Sequence, residues 1–342
     1  MTDPILASTA LQAMLDRLRD TPAMRAKLAI QQPARALPAR TAGHDDCYAL
    51  PGDDTAAIRC GDQYQLLAIE GMIPAFVEQA PWFAGWSAVM ANVSDITAMG
   101  GRASAVVNAY WHNDRQAADS VLAGIRDACQ AYGLILAGGH TSQAPSNPAA
   151  LAVAISGWAR SLLSTLHVVP GQVIAMAVDL DGSWHGTAPY WKAFENVPAE
   201  RLREKLEVIP RLAEAGLLHA AKDISNAGIL GTLLMLLEPT TRGARIDLDA
   251  LPRPADAPLE RWLQAFPSYG FLLTLERQDL PTVEAAFAFE GIHCACIGEV
   301  DDSARLRVGQ GDACHEFWNL AEQPFTGFSH PGFQLSAVSK EH

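Results

Sequence analysis

The sequence has few basic residues and no long apolar run. Lys and Arg number 25 against 38 Asp and Glu, which gives a formal charge of −13. Nucleic-acid binding is not expected, because affinity for phosphate backbones comes mainly from clustered Lys and Arg. No stretch of about 20 apolar residues occurs, since Gly, Pro, Ser or Asn interrupts each uncharged region, so we expect no membrane span.

Cysteine is scarce, and no CxxC pair occurs. This spacing supports neither a zinc ribbon nor a disulfide framework, so we expect free thiols. The N-terminus, with Asp3 and Pro4, lacks the basic-then-apolar order of a signal peptide, and the expected location is the cytoplasm. The six cysteines are Cys47, Cys60, Cys129, Cys294, Cys296 and Cys314.

Three common catalytic motifs are also missing. The chain contains no GxxxxGK[ST], HExxH or GxSxG sequence. A Walker-type ATPase, a zinc protease of the HExxH class and an α/β-hydrolase are therefore not supported.

Apolar residues are abundant enough for two cores. They make up 49% of the 342 residues, and this length is about 2.3 times the domain-length prior. Short β-rich runs alternate with helical patterns, so we expect an α+β (mixed α/β) protein with a cleft between two domains. The predicted units are an N-terminal helical extension over residues 1–40 and two domains over residues 41–165 and 166–335.

The extension carries a local excess of positive charge, with six basic residues against three acidic ones. A helical apolar stripe predicts a helix that ends before Thr21, with Ser8 or Thr9 as its N-cap. Two interpretations stay open, a docked helix with solvated charges and an arm that binds phosphate. The stripe comprises Leu11, Met14, Leu15 and Leu18, and the basic residues are Arg17, Arg19, Arg25, Lys27, Arg35 and Arg40.

Two adjacent carboxylates, Asp53 and Asp54, follow Gly52 just before an apolar segment. Adjacent carboxylates repel one another, so they are tolerated in a solvated turn and are useful where a divalent cation bridges them. An ordinary polar turn and a metal site are both consistent with this pattern.

Asn92 and Asp95 lie in an otherwise apolar helical segment that ends at Gly100 and Gly101. Residues three apart project from the same helix face. An Asp on such an apolar helix needs a partner, and a cation is one candidate. A solvated helix face is the alternative.

Residues 138–141, which read Gly-Gly-His-Thr, directly follow a strand predicted over residues 134–137. Glycines in a turn after a strand allow a backbone to approach a ligand closely, and His140 could donate to phosphate. A structural histidine in an ordinary turn is the alternative.

Asp223 directly precedes an apolar helix predicted over residues 225–237. Ser225 or Asn226 could cap this helix, and the free N–H groups of its first turn would favour an anion. An Asp beside such a terminus indicates a cation shared with the anion, while simple capping is the alternative.

Together and in this order, the four clusters resemble those of the aminoimidazole ribonucleotide (AIR) synthetase superfamily. Residues 91–101 resemble its N-x-S-D-x-x-A-M-G-G helix, and residues 52–57 its G-D-D-A-A motif. Residues 138–141 are similar to its G-G-H/D-T/S turn, and residues 223–231 have the register of the D-V-T-G-F-G-L-L-G run of selenophosphate synthetase. The resemblance covers roughly residues 45–310.

This resemblance implies a two-domain fold, a homodimer joined through strands of the N-terminal domains, and ATP bound in the cleft with Mg²⁺. The implied reaction is phosphoryl transfer to an oxygen of a small molecule. The alternative is a catalytically inactive member that binds a nucleotide or metabolite. The implied metal ligands are Asp53, Asp54, Glu70, Asp95 and Asp223. The implied cofactor-binding residues are Asn92, Gly138, Gly139, Thr141, Ser225 and Asn226, and the implied catalytic residues are His140 and Asp95.

The chain also departs from known members of that superfamily. Glu70 stands where the T-x-D motif after the second strand is usual. Asn226 replaces the second Asp of the D-I-S-D-G motif of thiamine-phosphate kinases, and Ser268-Tyr269-Gly270 replaces their G-E-D-Y motif. The phosphoryl acceptor is therefore not assigned from the sequence.

Overall fold

A computed structural model describes residues 4–36, 51–144 and 148–329 of the chain. The N-terminal helices are α1 (Pro4–Arg19), α2 (Pro22–Leu28) and α3 (Gln31–Ala34). The first domain contains β1 (Ala56–Cys60), β2 (Gln63–Met72), α4 (Pro74–Gln79), α5 (Pro81–Ala98), β3 (Gly101–His112), α6 (Arg115–Tyr132), β4 (Ile135–Gln143) and β5 (Ala150–Ala159). The second contains β6 (Val173–Val178), β7 (Ser183–Trp184), β8 (Trp191–Lys192), α7 (Ala199–Glu214), β9 (Ala220–Asp223), α8 (Gly228–Leu237), β10 (Gly243–Asp247), α9 (Leu259–Trp262), β11 (Gly270–Leu275), α10 (Leu280–Phe289), β12 (His293–Asp301), β13 (Arg305–Gln310) and β14 (Ala313–Asn319).

The first domain is a five-stranded sheet in the order β1-β2-β5-β3-β4, with α5 and α6 packed on one face. Helix α5 is buried along almost all of its length because its sequence is apolar on every side. Two glycines let α5 and α6 approach closely. A Cβ added at Gly85 would lie 2.1 Å from the Val121 carbonyl oxygen, and one at Gly124 would lie 2.0 Å from the Trp82 carbonyl oxygen.

The opposite face of this sheet, named here the open face, exposes apolar side chains. Ile69 is 69% exposed and Ile135 is 66% exposed. Strand side chains alternate between the two faces, so the same alternation that fills the core places these residues outside. The open face comprises Ile58, Leu67, Ile69, Val107, Trp111, Ile135 and Trp158.

The second domain is built on a seven-stranded sheet in the order β14-β13-β10-β12-β6-β11-β9. Strands β6 and β11 are buried at every position because helices cover both faces of the sheet. Helices α7 and α10 cover one face, and α8 covers the other together with α1 and α2. The N-terminal helices thus belong to the core of the second domain.

The structure confirms the mixed α/β, two-domain fold and corrects three local predictions. Helix α1 begins before Ser8 and Thr9, so neither residue caps it, and Ser8 Oγ lies 3.0 Å from His315 Nε2. Helix α8 begins at Gly228 rather than at residue 225. Residues 138–141 form part of strand β4 rather than a turn, because they pair in parallel with β3.

Two features bear on other expectations. Cys47 and the predicted boundary at residue 41 lie outside the described residues. Within the described part of the chain, every helix is too short or too polar to cross a membrane.

Candidate metal centre

Three carboxylates from separate elements meet in the cleft between the domains. Asp54 precedes β1, Asp95 lies in the last turn of α5, and Asp223 ends β9. One oxygen from each lies within 4.8 Å of the other two. Asp95 is only 6% exposed and Asp223 only 4%. The first domain therefore supplies two of these side chains and the second domain supplies the third.

Two of the three carboxylates, Asp95 and Asp223, have no side-chain donor among the described residues. Burial, followed by repulsion from Asp223, raises the pKa of Asp95 well above its ordinary value. Burial, followed by repulsion from Asp54, does the same to the pKa of Asp223. Neither Asp95 nor Asp223 accepts a side-chain hydrogen bond from the described residues. A buried carboxylate without a partner is costly, and a divalent cation with oxygen ligands removes that cost, so this donor set fits Mg²⁺.

Lys222 fixes the position of Asp54. Its ammonium group forms an ion pair with Asp54 and donates to the Gly52 carbonyl oxygen at 3.2 Å. The Asp223 backbone N–H also donates to Asp54 Oδ2 at 3.3 Å. Burial is the largest single influence and lowers the pKa of Lys222, but the charge and hydrogen bond of Asp54, together with the charges of Asp53 and Asp223, raise that pKa overall. The motifs of the sequence assign no role to Lys222, although this residue directly precedes Asp223.

Asp53 points away from the three carboxylates and holds the connection between the domains. One of its oxygens accepts from Ser164 Oγ at 2.6 Å, and the other accepts from Thr165 N at 2.7 Å and Thr165 Oγ1 at 2.6 Å. Burial raises the pKa of Asp53, although these hydrogen bonds act in the opposite direction. The structure therefore separates the two adjacent carboxylates, with Asp54 in the cluster and Asp53 in a hydrogen-bonded clamp.

Glu70 extends the acidic site along β2. It lines both cavities beside the three carboxylates. Burial raises the pKa of Glu70, whereas the charge of Lys27 lowers it. Glu70 thus faces the three carboxylates, where a further ligand is expected. It also faces Lys27, a cation for which the sequence predicted no place in the site.

Asn92 lies in the core of the first domain and is not one of the three clustered carboxylates' neighbours by hydrogen bonding. It is fully buried, and its Nδ2 donates to the Ala88 carbonyl oxygen at 2.7 Å and the Val153 carbonyl oxygen at 2.9 Å. The bond to Val153 joins α5 to β5 in the core, and the bond to Ala88 lies within α5. Asn92 and Asp95 lie only approximately on the same face of α5. Asn92 therefore points into the core, whereas Asp95 points into the cleft.

The glycine-rich segment of β4 is also remote from the cluster within one copy of the chain. Glu70, Val153, Asn108 and Gly139 pair in a row across four strands. Three strand spacings separate the first from the last, which is about 14 Å. His140 is exposed next to Trp111 of the open face, with their ring centroids 6.2 Å apart. Gly138, Gly139, His140 and Thr141 are therefore not brought together with the three aspartates.

Helix α8 is not capped as the sequence predicted. Its N-cap is Ala227, with a φ of 93°, and no side chain caps it. The Gly228 N–H donates to the Ser225 carbonyl oxygen and the Ile229 N–H to the Leu263 carbonyl oxygen, both at 2.9 Å. Neither of these amides is free for an anion. The side chains of Ser225 and Asn226 instead contribute to the wall of a cavity.

Two cavities adjoin the cluster and share Lys27, Glu70, Asp223 and Ser225. The first, the acidic cavity, has a volume of about 180 Å³ and also contains Asp53, Asp54, Asp95, Lys222, Thr326 and Phe328 in its lining. The second, the aromatic cavity, has a volume of about 200 Å³ and includes Phe76, Ser87, Tyr190, Asn226 and Phe266. A polar site for a metal therefore opens directly onto a mostly apolar one.

Comparison with known proteins gives relatives over most of the chain. An uncharacterized protein of Synechocystis sp. is 40% identical over 320 residues, which cover 93% of this chain and 99% of the relative. An uncharacterized protein of Methanocaldococcus jannaschii is 31% identical over 235 residues, which cover 68% and 72%. A thiamine-monophosphate kinase of Rhodopirellula baltica is 28% identical and covers 59% and 64%.

Solved structures share the fold. PurL of T. maritima complexed with ATP matches with a TM-score of 0.70 at 17% identity. The match covers 95% of this chain and 56% of PurL, so the chain spans little more than half of that protein. AaThiL complexed with AMPPCP and TMP matches with a TM-score of 0.59 at 17% identity, over 78% of this chain and 91% of that one.

Family models match both domains. The model for the AIR synthase related protein N-terminal domain matches residues 52–159. The model for the C-terminal domain of the same family matches residues 175–310. The chain therefore belongs to the AIR synthase related protein family.

Proposed function

We propose that this protein transfers the terminal phosphoryl group of ATP to an oxygen of a small molecule in a Mg²⁺-dependent reaction. The observation that carries this proposal is the set of three carboxylate oxygens within 4.8 Å of one another, supplied by both domains. The comparisons support the general kind of reaction, because the relatives include a kinase and the structural neighbours include complexes with ATP and AMPPCP.

Asp54, Asp95 and Asp223 would hold the metal, with Glu70 as a further ligand. When bound, Mg²⁺ supplies positive charge to the phosphate oxygens and orients them. Lys222 holds Asp54 in place through their ion pair, and Asp53 keeps the domain connection fixed through Ser164 and Thr165. These roles require positioning and electrostatics, so no protein nucleophile is needed.

The aromatic cavity suits the acceptor. It lies directly beside Glu70 and Asp223, and Tyr190 and Phe266 form an apolar wall that limits water near the transferred group. Asn226 and Ser87 supply polar groups to orient a small molecule. In the step itself, the bond from the terminal phosphorus to the bridging oxygen breaks, the bond to the acceptor oxygen forms, and ADP leaves. An acceptor hydroxyl also releases its proton, whereas a carboxylate has none to lose.

The open face supports a homodimer. Seven apolar side chains are exposed together on one sheet, and contiguous apolar surface of this kind marks interaction sites. His140 is exposed at this face beside Trp111. The proposed nucleotide-binding and catalytic roles of residues 138–141 require a second copy of the chain. In such a dimer, this segment of one copy would lie beside the acidic site of the other copy. We place the protein in the cytoplasm, in keeping with the free thiols of its five described cysteines.

Thermal unfolding with and without nucleotide tests the proposed site. A ligand present at 100 times its Kd stabilises the native state by about 2.7 kcal/mol. We expect AMPPCP to stabilise the wild-type protein in the presence of Mg²⁺ but not in EDTA, and Asp95→Ala to lose this effect. No stabilisation of the wild-type protein would refute the proposal. Release of ADP on addition of candidate acceptors then separates an enzyme from an inactive binding protein.

A further inference from the structure

The N-terminal extension reaches the acidic site, although it lies outside the residues that the family models match. Helix α2 starts after Thr21, whose Oγ1 accepts from the Met24 N–H at 3.3 Å. Met24 is 2% exposed and packs into the core on α8, where a Cβ added at Gly231 would lie 3.2 Å from Met24 Sδ. Lys27 lies three residues after Met24 and therefore on the same side of the helix. The anchored Met24 thus fixes where Lys27 enters the site.

Lys27 stands among carboxylates without pairing with one. It lines both the acidic and the aromatic cavity and is half-buried. Burial lowers the pKa of Lys27, while the charges of Glu70, Asp223 and Asp54 act in the opposite direction. Yet Lys27 forms no ion pair with any carboxylate of the described residues. Its three N–H donors therefore remain available to a ligand.

The charge balance of the site explains why such a cation is needed. Among the described residues that line the two cavities, the cations are Lys27 and Lys222. Lys222 is already committed to Asp54. A metal ion neutralises the carboxylates, but a phosphate chain brings further negative charge, and a lysine ammonium is a common point charge for phosphate. In the part of the chain that the structure describes, Lys27 is the cavity cation left to contact the phosphate chain.

We propose that Lys27 binds the terminal phosphate of the nucleoside triphosphate, so that the N-terminal extension completes the phosphate site. This inference rests on the proposed function. Lys27 lies where the acidic cavity meets the aromatic cavity, which is where the transferred group must pass from nucleotide to acceptor. The competing interpretation is that Lys27 only balances the carboxylates of the metal-free protein.

Arg25 provides a matched control for this proposal. It lies on the same helix, carries the same charge, is 67% exposed at its side chain and pairs with Asp20. Lys27→Ala and Arg25→Ala therefore remove equal charge from α2, but only the first removes it from the cavities. Lys27→Arg keeps the positive charge at this position. It therefore separates loss of the charge from damage to the fold of the site.

The experiment is calorimetric titration of the full-length variants with AMPPCP and with ADP in excess Mg²⁺. A hydrogen bond to a charged group corresponds to about a tenfold change in affinity or more. We expect Lys27→Ala to weaken AMPPCP binding by at least about this factor, to weaken ADP binding much less, and Lys27→Arg to recover part of the loss. Arg25→Ala should bind both nucleotides as the wild-type protein does.

Other outcomes separate the two proposals. Unchanged AMPPCP affinity in Lys27→Ala, or an equal loss for AMPPCP and ADP, would overturn the role of Lys27 at the terminal phosphate and leave the proposed function standing. Failure of the wild-type protein to bind either nucleotide would overturn both. Hydrogen exchange on the wild-type protein adds a check without mutation, since AMPPCP should slow amide exchange in residues 22–28 more than ADP does.

Discussion

Replacing Asp95 by Asn should make the metal-free protein more stable, although it removes the centre of the site. The substitution keeps the size of the side chain and removes one of three carboxylate charges that lie within 4.8 Å of one another. Two unit charges at that separation repel by about 3.5 kcal/mol at an effective dielectric constant of about 20. Asp95 faces two such neighbours, Asp54 and Asp223.

Only part of this repulsion will be measured. Lys222 offsets some of it, and proton uptake by the cluster offsets more. We therefore expect Asp95→Asn to raise the free energy of unfolding in EDTA at pH 8 by about 3 kcal/mol. For 342 residues the unfolding entropy makes this a rise in Tm of about 4 °C.

The gain in stability of Asp95→Asn over the wild-type protein should increase with pH. The pKa of Asp95 is raised in the folded protein, so the folded state holds its proton to higher pH than the unfolded state does. Wild-type stability is therefore lost as the pH rises from the unfolded pKa, about 3.9, through the raised folded pKa. Asn has no proton to lose, so the advantage of Asp95→Asn should be largest at pH 8 and shrink towards pH 5.

Magnesium should reverse the order of the two proteins. Mg²⁺ with AMPPCP binds the ionised wild-type cluster and stabilises it, whereas Asp95→Asn lacks a ligand and gains little. Calorimetric unfolding scans at pH 5 and pH 8, in EDTA and in Mg²⁺ with AMPPCP, measure both effects. Asp302→Asn is the control, because its side chain is 74% exposed and pairs with Arg242 outside the site. An Asp95→Asn protein that is no more stable than wild type in EDTA would refute the electrostatic reasoning.

Three further predictions concern the surroundings of the site. Thr165→Val removes a hydrogen bond to half-buried Asp53 and should lower the free energy of unfolding, measured in urea, by about 2 kcal/mol. Glu238→Gln should speed proteolysis in the loop after β14, since this buried carboxylate accepts hydrogen bonds from three backbone N–H groups there. An unchanged rate of cleavage would contradict the idea that Glu238 holds this loop. Ile69→Asp on the open face should convert a homodimer into monomers in sedimentation experiments, whereas a wild-type monomer would argue against the proposed interface.

Much of the fold was readable from the sequence because the apolar patterns are strong. Helix α6 has a sequence with an apolar stripe at helical spacing and ends at Gly133, whose φ of 72° suits glycine. Strand β6 is an uninterrupted apolar run and is buried at every position. Each of these elements buries either one apolar face or its whole length. The secondary structure that the apolar pattern favours is therefore the one that tertiary packing stabilises.

The failures arose where tertiary contacts override local signals. A Gly-Gly pair usually marks a turn, but Gly139 stays in β4 because it faces Asn108, and a Cβ there would lie 1.7 Å from Asn108 Oδ1. Asn92 is polar and lies near Asp95 in sequence, yet two backbone carbonyl oxygens in the core bind its amide. No local pattern shows which carbonyl oxygens a buried amide will meet.

The site was predicted in part for the same reason. The motifs around Asp54, Asp95 and Asp223 predict metal ligands, and the structure brings these three carboxylates together. In the sequence, Lys27 is only one of six basic residues in the extension. Its position in the site depends on the packing of Met24 against α8, and this contact spans about 200 residues of sequence. Its role could not be separated from that of Arg25 without the fold.

The acidic composition of the chain and its proposed affinity for a polyanion are compatible because charge is distributed unevenly. The overall charge is −13, and the carboxylates of the cleft attract metal ions but repel phosphate. Metal ions then invert the local potential, so that a net-negative protein attracts a triphosphate only when they are bound. A site of this kind needs few fixed cations, and each one must stay clear of the metal ligands. Lys222 instead pairs with the proposed ligand Asp54. Among the described residues that line the two cavities, Lys27, on a separate helix, is therefore the cation available to phosphate.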